Sequence, residues 1–294
     1  MSSTPSPVYP PFLSWWVPHA LLHFFKAPLL ATAVCIVMAP AYHSLAAQWR
    51  HSDVAWFIAG TMLIHAVLYY ALNGFFLLCD VHHCFTKYKI PRTQRMIPST
   101  SLIVSTILQG TIAQIFVAPI PLYLVYTYVV PDPKPPMTSP LPNALTLFRH
   151  FFCANLFTEV CFYATHRTFH EIPWLYRFAH KKHHQYVGSI GFAAEYAHPL
   201  EMILGNQFST AGYFLASAVH PFIWFVWLAW RLSETYESHS GYCFRGSWPE
   251  RYLGLTNGNR AEFHDFHHTD NRGNYGSEVV DYIFGTMDSW LIQK

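Results

Sequence analysis

The sequence predicts an all-α integral membrane protein. Its expected architecture is a bundle of about four to five transmembrane or hairpin helices, with a cytosolic helical cap enclosing a histidine-rich dimetal site. Three observations carry this reading. The 294 residues are 52% hydrophobic and only 12% charged, about half the charge of a soluble domain. Several apolar runs reach the ~20 residues needed to cross a bilayer. Histidines, 19 in all, recur at helical spacing in three tight clusters. The aromatic content of 18%, with 10 Trp and 18 Tyr, suits side chains seated at a membrane–water interface. A net charge of +2 leaves no electrostatic footprint for nucleic acid.

The elements follow in order within one membrane-embedded domain, 1–294. Residues 1–27 read as a cytosolic or interfacial tail. Pro and Trp interrupt its apolar part and no basic segment leads it, which excludes a signal peptide. Residues 28–130 hold the spans. The run 28–47 is weak, because Pro40 breaks it. The run 54–79 carries no charge and is the strongest. Between spans lies a basic loop, 80–97, containing "KYKIPRTQR". The run 101–130 includes Pro119 and Pro121, so it is one kinked span or a span plus a short second helix. A proline-rich linker, 131–143, leads into a catalytic region, 144–294.

Within that region 144–165 is apolar, although it carries Arg149, His150 and Glu159. A last apolar run, 202–230, is split by "HPF" at 220–222. The basic segments 87–95 and 167–182 face the cytosol by the positive-inside rule. The run 202–230 must therefore enter and return. At 1.5 Å per residue each half is about 20 Å long, short of a ~30 Å core, which predicts a hairpin that dips into the bilayer or leans on other helices. From 232 onward the chain is polar and forms the cap. The six cysteines (35, 79, 84, 153, 161, 243) show no paired spacing and read as reduced packing residues.

Eleven of the histidines lie between 166 and 268. His166 and His170 stand four apart in "HRTFH". His180, His183 and His184 in "HKKHH", and His264, His267 and His268 in "HDFHH", repeat the spacing i, i+3, i+4, which shares one helix face. His239 stands alone in "ESHSGY", where the hairpin returns, and His198 in "EYAHPLE" is a candidate to complete the set. His220, His82 and His83 read as core or interfacial residues, the commoner fate of an isolated histidine. Clustered neutral imidazoles pack no better than Leu or Phe, whereas imidazole is a good ligand for Zn, Cu, Fe and Ni. Nine histidines exceed one four-coordinate site and fit two ions.

Carboxylates nearby are few, Asp265 and Glu171, so neutral ligands leave the ions' charge uncompensated and favour anionic oxygen species. Two irons with open positions beside lipid suit O2-dependent oxidation of an apolar C–H bond; the residues alone leave iron or zinc open. A zinc transporter would instead bury its ligands within spanning helices at mid-depth, and these histidines mostly follow the spans.

The three boxes resemble those of the fatty acid hydroxylase and sterol desaturase superfamily. "GFAAEYAHPLE" at 191–201, "RLSETYESHSGY" at 231–242 and "EFHDFHHTDNRGNYGS" at 262–277 resemble its sterol C-4 methyl oxidases, the methylsterol monooxygenases, in order across about 110 residues. "KYKI" at 87–90 resembles the family's first cytosolic loop. A sterol C-5 desaturase or a fatty acid hydroxylase shares the boxes alone. One departure is Cys243, where many members carry a second histidine near "HSGY".

The resemblance implies a multi-pass enzyme of the endoplasmic reticulum membrane, its histidine boxes facing the cytosol. It would hold two iron ions (Fe2+/Fe3+) on His166, His170, His180, His183, His184, His239, His264, His267 and His268. With O2 as co-substrate it would oxidise the 4α-methyl group of a 4-methyl sterol to hydroxymethyl, aldehyde and carboxylate. Its NAD(P)H electrons would come through cytochrome b5 and its reductase, since no G-x-G-x-x-G nucleotide signature is present. A sterol C-4 decarboxylase/dehydrogenase would act next.

Asp265, Glu195, Glu201 and Asn274 are candidates to orient the ligands. Phe152, Phe162, Phe208, Tyr213 and Trp227 are candidates for a sterol slot. Arg167, Arg177, Lys181, Lys182 and Arg272 are expected to form a basic rim for an acidic electron donor.

Overall fold

The computed structural model describes residues 12–250, 256 and 258–293; the first eleven residues of the expected tail lie outside them. Helix α1, Phe12–Gln48, begins well before the expected span and runs through Pro40. The reason is a buried stripe, Ala27, Ala31, Cys35, Tyr42 and Ala46, whose four- and seven-residue spacing packs α1 along the core. Such packing compensates for the single backbone bond a proline removes. Helix α2, Asp53–Val81, is capped by Ser52, which accepts from the Ala55 amide.

The run after the basic loop becomes α3, Thr100–Ile112, and α4, Pro119–Leu124. They are joined and followed by π-helical turns over Ala113–Val117 and Val125–Val129. Widening the helix just before Pro119 and Pro121 relieves the clash of their rings with the preceding turn. The rod is thus continuous but interrupted.

Three stretches, Phe24–Gln48, Asp53–Val81 and Gln94–Val129, are long and apolar enough to cross a membrane. Val37, Leu63 and Phe116 on them are 75%, 65% and 69% exposed, an outward apolar surface that only lipid would cover favourably.

Helix α5, Ala144–Glu171, starts on an Asn143 cap whose side chain accepts from the Thr146 amide. It packs on α1 and ends at the first histidine pair. Helix α6, Pro173–Phe178, leads into two tight 3-10 turns, His180–Gln185 and Gly191–Glu195. Then come α7, Pro199–Glu201, a π turn, Met202–Gln207, and α8, Phe208–Ser217. The chain reverses at Ala218, φ 43°, and returns as α9, Pro221–His239. The expected hairpin is therefore present, split where the sequence splits it.

His220 caps the return limb. Its Nδ1 accepts from the Phe222 amide at 3.1 Å and its Nε2 donates to the Ser139 carbonyl at 3.0 Å. Every residue from Pro221 to Leu228 is buried, so the first half of α9 is apolar on all sides and runs through the core.

After α9 the described residues form α10, Arg260–Asp270, α11, Glu278–Ile283, and α12, Asp288–Gln293. Among the described residues there is no strand; a single bridge between Lys89 and Tyr242 pins the basic loop to the segment after α9. All six cysteines are free thiols.

One buried ion network locks the histidine-bearing helices together. Arg260 of α10 donates to both Glu159 oxygens of α5, at 2.6 and 2.7 Å. Arg231 of α9 lies 3.5 Å from the same carboxylate and 2.6 Å from Glu234.

Candidate metal centre

All nine histidines singled out in the sequence meet at one end of the bundle, in two groups. His166, His170, His180, His184 and His267 form the first; His183, His239, His264 and His268 form the second. Within each group the candidate ligand atoms all lie within 4.8 Å of one another. In the first, His180 Nε2 stands 2.7 Å from His170 Nε2, 3.0 Å from His184 Nε2 and 3.1 Å from His166 Nε2, and His267 Nε2 stands 3.2 Å from His184 Nε2. In the second, His264 Nε2 lies 2.9 Å from His239 Nε2 and 3.2 Å from His268 Nε2.

The protons say what these nitrogens are. A neutral imidazole carries one N–H. Nδ1 of His166 donates to the Tyr275 carbonyl at 2.6 Å, and Nδ1 of His267 to the Gly273 carbonyl at 2.7 Å. Nδ1 of His268 donates to the Tyr186 carbonyl at 2.9 Å, and Nδ1 of His239 to the Thr235 carbonyl at 2.8 Å. The proton of each is thereby assigned to Nδ1, which leaves Nε2 a bare lone pair.

Burial, reinforced by neighbouring histidines, holds His184, His264, His267 and His268 well below their ordinary pKa. Burial brings His183 to about 3 and His239 to about 4, so the cluster is neutral at physiological pH. Buried lone pairs converging at about 3 Å repel unless a cation lies between them. The residues therefore fit metal.

Nitrogens that share one ion at ~2.0–2.1 Å stand roughly 3 Å apart, which the observed separations of 2.7–3.2 Å match.

The spacing i, i+3, i+4 led to an expectation of one face per box, and here the structure differs. His180 and His184 turn to the first group while His183 turns to the second. His264 and His268 turn to the second while His267 turns to the first. Adjacent residues diverge by about 100° in the α-helix carrying His267 and His268 and by about 120° in the 3-10 turn carrying His183 and His184, so each "HH" pair divides between the two groups. The rings of His183 and His184 are 5.7 Å apart and nearly perpendicular, and those of His267 and His268 are 5.8 Å apart.

The ligand supports are mostly backbone. Of the four side chains expected to orient the histidines, only Glu201 touches one, its Oε1 lying 2.8 Å from His180 Nδ1. Burial pushes its carboxyl well above the usual range, with Lys182 opposing; positive charge beyond the His180 ring would pull it down. Asp265 instead pairs with Arg92 at 2.8 Å, and Glu195 bonds His65 and Tyr236. Asn274 donates to the Phe263 carbonyl at 3.0 Å, bracing α10 without touching a ring.

The loop 271–276 supplies two of the carbonyls. Its Asn271, Gly273 and Asn274 adopt positive φ, which folds the chain back over the site. Asp281, not foreseen from sequence, holds that loop by accepting from the Tyr275 and Gly276 amides at 2.8 and 2.6 Å. Glu201→Ala is expected to loosen metal binding about ten- to hundredfold, read by competition with a chelator.

His198 joins neither group. Its Nδ1 accepts from the Leu200 amide at 3.2 Å, starting α7, and its ring packs on Phe178. Cys243 also joins neither; its thiol lies 3.4 Å from the Gly258 carbonyl.

A cavity of about 440 Å³ reaches the cage, within the ~300–1,000 Å³ of small-molecule sites. His166, His183, His239 and His264 close one end, and Phe57, Tyr126, Phe214 and Trp224 line its apolar walls. Of the five aromatics expected there, Phe162 and Phe208 line it. Phe152 stacks on Phe25, Tyr213 bonds His150, and Trp227 is packed in the core, donating to the Thr210 carbonyl.

Of the expected basic rim, Arg177, Lys181 and Arg272 are exposed. Arg167 pairs with Glu171 at 2.6 Å, and Lys182 donates to Gln109 and to the Ala197 carbonyl, so neither is a free cation.

A model of the fatty acid hydroxylase family matches residues 151–286, the span holding all nine histidines. The chain is 35% identical over 237 residues to a putative methylsterol monooxygenase of Dictyostelium discoideum, covering 80% of this chain and 85% of that one. It is 36% identical over 160 residues to methylsterol monooxygenase 1 of Gallus gallus, covering 52% and 51%. It is also 38% identical over 154 residues to a very-long-chain aldehyde decarbonylase of Oryza sativa, covering 51% and 56%. No solved structure matches.

Proposed function

Because this chain belongs to the fatty acid hydroxylase family, we propose that it is a sterol C-4 methyl monooxygenase. On this reading the nine histidines hold two irons, and the substrate is a 4-methyl sterol drawn from the bilayer. One observation supports this most: an apolar, aromatic-walled cavity ends on the histidine cage, so a buried methyl group could be presented to it. The irons, when bound, supply O2 activation. The protein's own part is to hold the rigid ring system between Phe57, Tyr126 and Trp224, to exclude water, and to keep the imidazole protons on Nδ1 so that Nε2 faces inward.

The full sequence of oxidations would run from methyl to hydroxymethyl, aldehyde and carboxylate, each step using one O2 and two electrons. A membrane-bound cytochrome b5 and its NAD(P)H-dependent reductase are the proposed electron source, docking at the endoplasmic reticulum's cytosolic face near the exposed Arg177, Lys181 and Arg272. A decarboxylating dehydrogenase would consume the acid.

Membranes containing the protein, given a 4,4-dimethyl sterol, O2 and NADPH, are expected to yield 4-hydroxymethyl and 4-carboxy sterols. Chelation of iron should abolish both products. Oxidation of a linear fatty chain or aldehyde in their place would overturn the sterol reading.

A further inference from the structure

The apolar cavity has one polar patch besides the cage. Glu195, from the turn Gly191–Glu195, receives Nε2–H of His65 from α2 at 2.6 Å and the hydroxyl of Tyr236 from α9, both on Oε1. All three side chains line the cavity. A carboxylate in an apolar wall is expensive to bury unless it is well paired; it accepts at about four lone-pair sites, of which His65, Tyr236 and the Gln114 side chain use three, leaving one for a ligand. Its side chain keeps 11% of its surface open, in the cavity wall.

Position adds a second constraint. Tyr236 and His239 stand three residues apart on α9, one helical turn, so they share a face about 4.5 Å apart along the axis, and both line the cavity. The patch and the cage therefore open on the same cavity, with Tyr236 and His239 one turn apart on the helix backbone.

We propose that Glu195, oriented by His65 and Tyr236, anchors the 3-hydroxyl group of the sterol. This rests on the reading of the substrate as a 4-methyl sterol. In such a molecule the hydroxyl and the methyl sit on neighbouring ring carbons. An anchor in the same cavity as His239, braced by Tyr236 one turn along α9, would hold the hydroxyl while the adjacent methyl reaches the cage. The carboxylate accepts and does not donate, so it selects an alcohol at C-3 and rejects a ketone, which would leave the buried acceptor facing another acceptor. A merely structural role, fastening the turn 191–195 to α2 and α9, has no reason to distinguish the two.

The test is equilibrium binding of labelled 4,4-dimethyl sterol, as its 3β-hydroxy and 3-oxo forms, to the full-length protein in lipid nanodiscs. Wild type is expected to bind the alcohol at least about tenfold more tightly. Glu195→Gln, whose amide also donates, should narrow that preference to below about threefold with metal content unchanged. Tyr236→Phe removes only a hydroxyl; should the glutamine variant fold poorly, Tyr236→Phe is expected to reduce the preference by at least about threefold.

Equal binding of both sterols by wild type, or an undiminished preference in folded variants, overturns the anchor. A wild type that prefers the alcohol yet leaves the methyl group unoxidised overturns the proposed function instead and leaves the anchor standing.

Discussion

Replacing His184 with alanine is expected, on the proposed two-iron reading, to lower sterol oxidation by about a hundredfold or more and to remove one of the two ions. Replacing its neighbour His183 is expected to do the same to the other ion. His184 Nε2 sits between those of His180 and His267, at 3.0 and 3.2 Å, whereas His183 belongs with His239, His264 and His268. Two adjacent residues thus serve two centres. Metal analysis counts the ions, and the iron spectrum of each variant reports which environment persists. If both variants lost the same ion, or either kept both ions and normal turnover, the grouping would be wrong.

Glu159→Ala should be the most destabilising single change outside the cage. It strips from Arg260 and Arg231 the carboxylate they share and leaves both guanidiniums to Glu234, 2.6 Å from Arg231 and 3.6 Å from Arg260. Breaking a buried pair by removing one partner costs about 3–5 kcal/mol. Because the network joins α5, α9 and α10, the loss should also loosen the cage those helices carry. Thermal unfolding in detergent, followed with metal content, checks this. Glu159→Gln, which still accepts from Arg260, should fall between. A Glu159→Ala protein as stable as wild type would show that the network contributes little.

Much of the fold was legible because membrane helices are written in composition. The run 54–79 read as a span and is one continuous helix, and the break at "HPF" marks the turn of the hairpin, since a proline favours a helix's first position. Pro40 was read as a break and is not one. A local rule cannot see the packing stripe that holds α1 together through it. The candidate cage was legible for a related reason: eight histidines in tight clusters, with His239 alone beside them, have no ordinary use in a core. His198 lay close in sequence to the motifs but serves as a helix cap, which its Pro199 neighbour could have suggested.

What the sequence determined by itself is the chemistry on offer: apolar helices long enough for a bilayer, and imidazoles at helical intervals near their ends. Those are properties of composition and local periodicity. Which imidazole joins which group was decided only by the tertiary structure, because it depends on where α5, α9, α10 and the 3-10 turn His180–Gln185 meet. The same holds for the carbonyls that orient the rings and for Asp281, which holds two of them in place. Backbone groups look alike in every sequence, and only folding gives each one a neighbour. The meeting of His65, Glu195 and Tyr236, whose first two members are 130 residues apart, likewise arises from packing alone.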